Sequence, residues 1–151
     1  MAIYSSKCTQ LERYNGTNWD AISQKLSISW SGYSKTIIES SHIDCDTSDP
    51  HSGFTRKRAG TINSGTLDVE VDFDPSIGSD PNKHGLIRSD SEGSSAVQYR
   101  ITFPNTAKTL MTVTGIVSAF SVSASGPESN LTASFTIEID GKPTFEDTPG
   151  D

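Results

Sequence analysis

Apolar residues make up only 32% of this 151-residue chain. No run of them approaches the ~18 residues that a membrane-spanning helix needs. The segment Met1 to Lys7 lacks the apolar stretch of a secretory signal, so the expectation is a protein made and kept in a cytosol, with no membrane partner. Two cysteines, Cys8 and Cys45, are too few for a disulfide framework and read as free thiols. The sequons Asn15-Gly16-Thr17 and Asn130-Leu131-Thr132 would matter only in a secretory pathway and read as chance matches. Positive charge is scarce too, with 12 Lys and Arg against 19 Asp and Glu, a net charge of −7. That balance disfavours wrapping around nucleic-acid phosphates and keeps separate copies apart until something specific joins them.

Catalytic and metal-binding patterns are missing. No HExxH, paired CxxC or G-x-S-x-G is present. His42, His51 and His84 fall in different segments, and a zinc site built from His42, Cys45 and His51 lacks a fourth ligand. Asp44, Asp46, Ser48 and Asp49 resemble the start of a calcium loop, but Asp49 and Thr55 stand where an EF-hand needs Gly and Glu. The expectation is no catalytic residue, no metal and no cofactor.

What is present is period-two alternation. Ile22, Leu26, Ile28 and Trp30 share one parity, with Gln24 among them, and serines and Lys25 take the other. Leu67, Val69, Val71 and Phe73 alternate with Asp68, Glu70 and Asp72. Val97, Tyr99, Ile101 and Phe103 form a third such segment, and Leu131, Ala133, Phe135, Ile137 and Ile139 a fourth. Each predicts a strand with one buried and one wet face. A fifth strand spans Thr109 to Ser123, where the apolar parity switches from Met111 and Val113 to Ile116, Phe120 and Val122, so a bulge or kink is expected near Gly115. Ser34 to His42 predicts a weaker strand, and Thr9 to Arg13 another, turned by Asn15-Gly16.

One helix is expected, capped by Asp80, with Pro81 at its first position and Gly93 just past its end. Gly85 weakens it. Residues 44–61 carry no period and read as a long loop, functional by its length. Residues 144–151 read as an acidic tail. The whole predicts a single domain over residues 1–151, mainly β. Its expected form is a two-sheet β-sandwich or partly closed barrel with one short flanking α-helix and a long loop.

Against that pattern, Tyr99-Arg100-Ile101-Thr102-Phe103-Pro104-Asn105 resembles the major tail tube protein family of long-tailed, non-contractile bacteriophages. The likeness continues through Thr114 to Phe120 and from Thr132 to the Gly141-Lys142-Pro143 close. Upstream it takes in Gly65 to Phe73, then Asp74-Pro75, and the helix region of Asn82, His84 and Leu86. It covers about two thirds of the chain, from the long loop onward, and rests on the ordered set; Gly78-Ser79 and the polar helix face depart from it.

The resemblance implies a structural virion protein that assembles into hexameric rings. These stack into a hollow tail tube through which DNA passes during ejection without specific binding. It implies a virion-tail location after assembly in the host cytoplasm, with tape measure, tail terminator and tail tip proteins as further partners. The long loop would contact neighbouring rings, and its candidate residues are Asp44, Asp46, Asp49, Phe54, Arg56, Lys57 and Arg58. Asp68, Glu70 and Asp72 are candidates to line the lumen. The alternatives are the tube of a contractile tail, secretion or gene-transfer particle, and a β-sandwich binding module.

Overall fold

The computed structural model describes residues 3–40, 55–78 and 83–148. Among the described residues, nine strands and one helix follow one another. They are β1 (Gln10–Tyr14), β2 (Trp19–Ile22), β3 (Lys25–Trp30), β4 (Ser34–Ser40), β5 (Arg56–Asn63), β6 (Thr66–Asp72), α1 (Gly85–Glu92), β7 (Val97–Thr102), β8 (Thr109–Ala124) and β9 (Leu131–Asp147). Seven strands form one antiparallel sheet in the order β2-β1-β7-β8-β9-β6-β3, and β4 and β5 form a separate two-stranded sheet. The mainly β class is as the alternation predicted, and one short helix stands among the described residues as the sequence led us to expect.

The sheet must curl. Strands β2 and β3 lie at its opposite edges, yet only Ser23 and Gln24 separate them in the chain. The two edges therefore approach each other at that link, where the Asp72 N–H donates to the Gln24 carbonyl at 2.9 Å. The edge strands β2 and β3 are not paired with each other, so the sheet does not close into a barrel. The segment from Ile22 to Trp30 is accordingly two strands rather than one, broken at Gln24 with φ 62° and again by a bulge between Lys25 and Ser27. Leu26, expected in the core, is exposed.

The concave face holds the core. Leu11, Leu67, Val69, Val71, Tyr99, Ile101, Met111, Val113, Phe135 and Ile137 are all buried there, each side chain of this kind contributing about 1.5–3 kcal/mol. In β8 the buried parity holds through Gly115 and Val117, and register shifts fall at Thr112/Thr114 and Val117/Ala119, flanking Gly115 instead of sitting on it. Ile116 and Val122 are consequently exposed, and Phe120 is half-buried.

Helix α1 packs against β8. It starts after His84, later than the expected Asp80 and Pro81, which lie outside the described residues. Gly85 begins it for a steric reason. A Cβ there would meet the Pro75 and Ser76 carbonyl oxygens at 2.8 Å, and the Gly85 N–H donates to that Ser76 oxygen. Nor is the segment 144–147 a tail. It continues β9, pairing Thr144 with Thr112, Phe145 with Met111 and Asp147 with Thr109.

Candidate functional site

Three surfaces remain once the core is accounted for. The first is an arm. The second half of the expected loop 44–61 is strand β5, paired with β4 through Lys57↔Glu39, Arg58↔Ile38 and Ala59↔Ile37. Arg56, Lys57 and Arg58 thus stand on a strand, not in a loop. Asp44, Asp46, Asp49 and Phe54 lie outside the described residues. Neither described strand of the arm rests on the core. Ile37, Ile38 and Ile62 are 53%, 39% and 57% exposed, and Lys57 meets Glu39 at 3.5 Å with both side chains in solvent. Such a ribbon, wet on both faces, has little stability of its own.

The root of the arm is firm. The Trp30 Nε1–H donates to the Ser64 carbonyl at 2.8 Å, the Ser31 N–H to the Thr66 carbonyl at 3.0 Å, and the Thr66 N–H to Ser31 Oγ at 2.9 Å. Trp30 and Tyr33 pack edge to face, 5.0 Å between ring centres. Gly65 takes φ 80°, open to glycine at no cost, and lies tight against Gly32.

The second surface is the convex face of β3-β6-β9-β8. Asp68, Glu70 and Asp72 project there, opposite the buried Leu67, Val69 and Val71. Their cross-strand partners are Ser29 and Ser27 on β3 and Thr136, Ser134 and Thr132 on β9. Beyond these come Ala119, Ser121 and Ser123 on β8. None of these positions holds Lys or Arg. The Thr136 hydroxyl donates to Asp68 Oδ1 at 2.7 Å. Glu138, opposite Thr66 and Ile116, extends the stripe onto β9. Sequence reasoning missed Glu138, although the alternation Thr132, Ser134, Thr136, Glu138 carries its orientation.

The third surface is an apolar groove of about 600 Å³ beside the edge strand β3, lined by Tyr4, Ile28, Trp30, Phe103, Met111 and Phe145 among others. Trp30 and Phe145 lie 6.2 Å apart across it. Its residues come from the N-terminal segment and four different strands, so no sequence window contains it.

The remaining polar clusters brace the fold. Arg13 binds Asp90 through Nε and Nη2, and the Tyr99 hydroxyl donates to the same carboxylate. The hydrogen bond with Asp90 raises the Arg13 pKa, while burial, reinforced by the Asp90 charge, raises that of Tyr99. His84 is buried. Its Nδ1 accepts from the Asp74 N–H at 3.1 Å, which leaves Nε2 to donate to the Ser23 carbonyl at 2.9 Å. That use of both ring nitrogens is structural. Among the described residues, no group of three or more His, Cys, Asp and Glu is placed to hold a metal ion, and no helix is long and apolar enough to cross a membrane.

The sequence matches no protein-family model and no curated protein. Solved structures do match. A chain from the tail of an empty gene transfer agent particle, refined helically with C6 symmetry, superposes with a TM-score of 0.71 at 8% identity, covering 95% of this chain and 99% of that one. The two chains share one fold. A chain of the sheath-tube complex of an extracellular contractile injection system gives a TM-score of 0.62 at 14% identity, over 93% and 88% of the two chains. The tail tube of SPP1 gives 0.53 at 10% identity, over 95% and 78%. In this chain the shared fold presents two basic arm strands, an acidic convex face and an apolar groove.

Proposed function

We propose that this chain is the repeating subunit of a tail tube, a structural protein of a virion and not an enzyme. Copies assemble into hexameric rings in the host cytoplasm, and the rings stack into a hollow tube that genome DNA traverses during ejection. Tape measure, terminator and tip proteins would bound the tube. The observation that carries this reading is the near end-to-end match to a chain of a C6-symmetric tail.

Three features support it physically. The free edges of β2 and β3 offer unpaired main-chain groups, which are liabilities in a monomer and joints in an assembly. The convex face, with Asp68, Glu70, Asp72 and Glu138 set among hydroxyls, suits a lumen wall. It repels phosphates and so lets DNA slide without sticking. The arm, apolar and basic at once, suits contact with the next ring.

Light scattering against concentration and salt tests the assembly. Growth from monomer to large particles is expected as screening weakens repulsion between copies of net charge −7. Constant monomer mass across all conditions would count against the reading. The match to a contractile injection system supports a second version, in which the same tube works inside a sheath. Sheath genes beside this one would favour it.

A further inference from the structure

We propose that His84 is the positioning residue that fixes the angle between the two free sheet edges, β2 and β3, and so decides whether copies joined edge to edge close into a ring. The inference rests on the assembly reading and adds the residue that sets its geometry.

The link between the edges is short and strained. Only Ser23 and Gln24 join β2 to β3, and Gln24 holds φ 62°. That region is costly for a residue with a side chain and persists only where the surroundings impose it. Here they do. Three successive carbonyls each accept a hydrogen bond: Ile22 from Lys25 Nζ at 2.7 Å, Ser23 from His84 Nε2 at 2.9 Å, and Gln24 from the Asp72 N–H at 2.9 Å. The first donor belongs to β3 and the third to β6. Of the three, only His84 ties the link to a group outside the sheet.

His84 is itself firmly held. It is 1% exposed. Its backbone N–H donates to the Asp74 carbonyl at 2.9 Å, and its Nδ1 accepts from the Asp74 N–H at 3.1 Å, so the two residues bond reciprocally. With Nδ1 an acceptor, the neutral ring carries its proton on Nε2, toward Ser23. The imidazole lies nearly parallel to the Phe73 ring, 6.2 Å between centres, and Phe73 packs edge-on against Phe120 of β8. One side chain thus joins the end of β6, the start of α1 and the link.

The angle matters because β2 and β3 are not paired with each other. The path between them through the sheet crosses β1, β7, β8, β9 and β6, whose twist can flex; the link is the short path. A contact between unlike edges closes into a ring only when the rotation from copy to copy divides a full turn, and otherwise gives an open helical filament. A held link gives one rotation, and a free link a spread of them.

Two variants separate the two ring nitrogens. His84→Asn keeps an acceptor where Nδ1 stands and cannot reach Ser23; His84→Gln places a donor near Nε2. Spin labels at Ala21→Cys on β2 and Ser29→Cys on β3, both exposed, report the edges in a Cys8→Ser, Cys45→Ser background. The parent and His84→Gln should give a narrow distance distribution, and His84→Asn a broad one. Under polymerising conditions, electron microscopy should show closed rings from the first two and open filaments from His84→Asn. If His84→Asn keeps the narrow distribution and the rings, the inference is overturned while the assembly reading stands. If neither variant folds, His84 is a core requirement and not a positioning residue, and the inference is overturned. If the parent never polymerises, the assembly reading fails and the ring role of His84 fails with it, whatever the label distances show.

Discussion

Arg13 on β1 grips Asp90 on α1 through two hydrogen bonds of 2.6 and 2.7 Å, and both side chains are largely out of solvent. Tyr99 on β7 adds a third bond to the same carboxylate at 2.8 Å. The pair ties the only described helix to the concave side of the sheet.

Removing one partner strands the other. Asp90→Ala leaves a desolvated guanidinium and a phenol without an acceptor, and should cost about 3 kcal/mol. An apolar pair, Arg13→Met with Asp90→Leu, should recover most of that loss. Urea denaturation of the three proteins measures both effects. Equal stability of Asp90→Ala and the parent would show that the helix is held by Ile87 packing alone.

The same cluster sets an alkaline limit. Burial first, then the Asp90 charge, raises the Tyr99 pKa above its ordinary 10.0. A raised folded-state value means full stability below about pH 10 and a decline above it, as the unfolded chain releases the proton while the folded chain keeps it. The slope from this one group approaches about 1.4 kcal/mol per pH unit. Tyr99→Phe should remove that share of the alkaline decline. Stability curves from pH 8 to 11 for the two proteins decide it, and identical slopes would exclude Tyr99 as the cause.

Much of this architecture is legible in the sequence, and the failures share a cause. Leu67, Val69 and Val71, or Ala133, Phe135 and Ile137, alternate because one face of their strand meets the core, and the structure buries those residues. Residues 56–63 carry no such signal because both faces of that strand are wet, so alternation had nothing to impose and Arg56-Lys57-Arg58 read as loop. Phe145 is the one apolar side chain in its stretch, and main-chain pairing with β8 holds it there. The turn at Gln24 is hidden because Ile22 and Ile28 keep one parity across it, although the chain changes sheet edge between them. Of the candidate surfaces, the acidic stripe is legible from one strand, whereas the groove exists only where five separate segments converge.

Reversing the arm's charge should separate folding from assembly. Arg56, Lys57 and Arg58 are exposed, and the one ion pair described among them, Lys57 to Glu39, is worth about 0–1 kcal/mol. With all three changed to Glu, the monomer should melt close to the parent yet fail to polymerise. Calorimetry and sedimentation together test this. Normal polymers from the variant would remove the basic strand from the contact.

Metal removal should change nothing. A structural metal would stabilise the folded state by mass action, so chelation would lower the melting temperature. Equal melting with and without chelator is expected. A clear drop would restore a metal site, with His42, Cys45, Asp44 and Asp46 the first residues to test.

Electron microscopy of the concentrated protein bears most directly on the tube role. Negative-stain images should show rings with a central hole, and stacks of them as hollow tubes of constant diameter. A field of single small particles at every concentration and salt tested, with no ring or tube in any preparation, would contradict it.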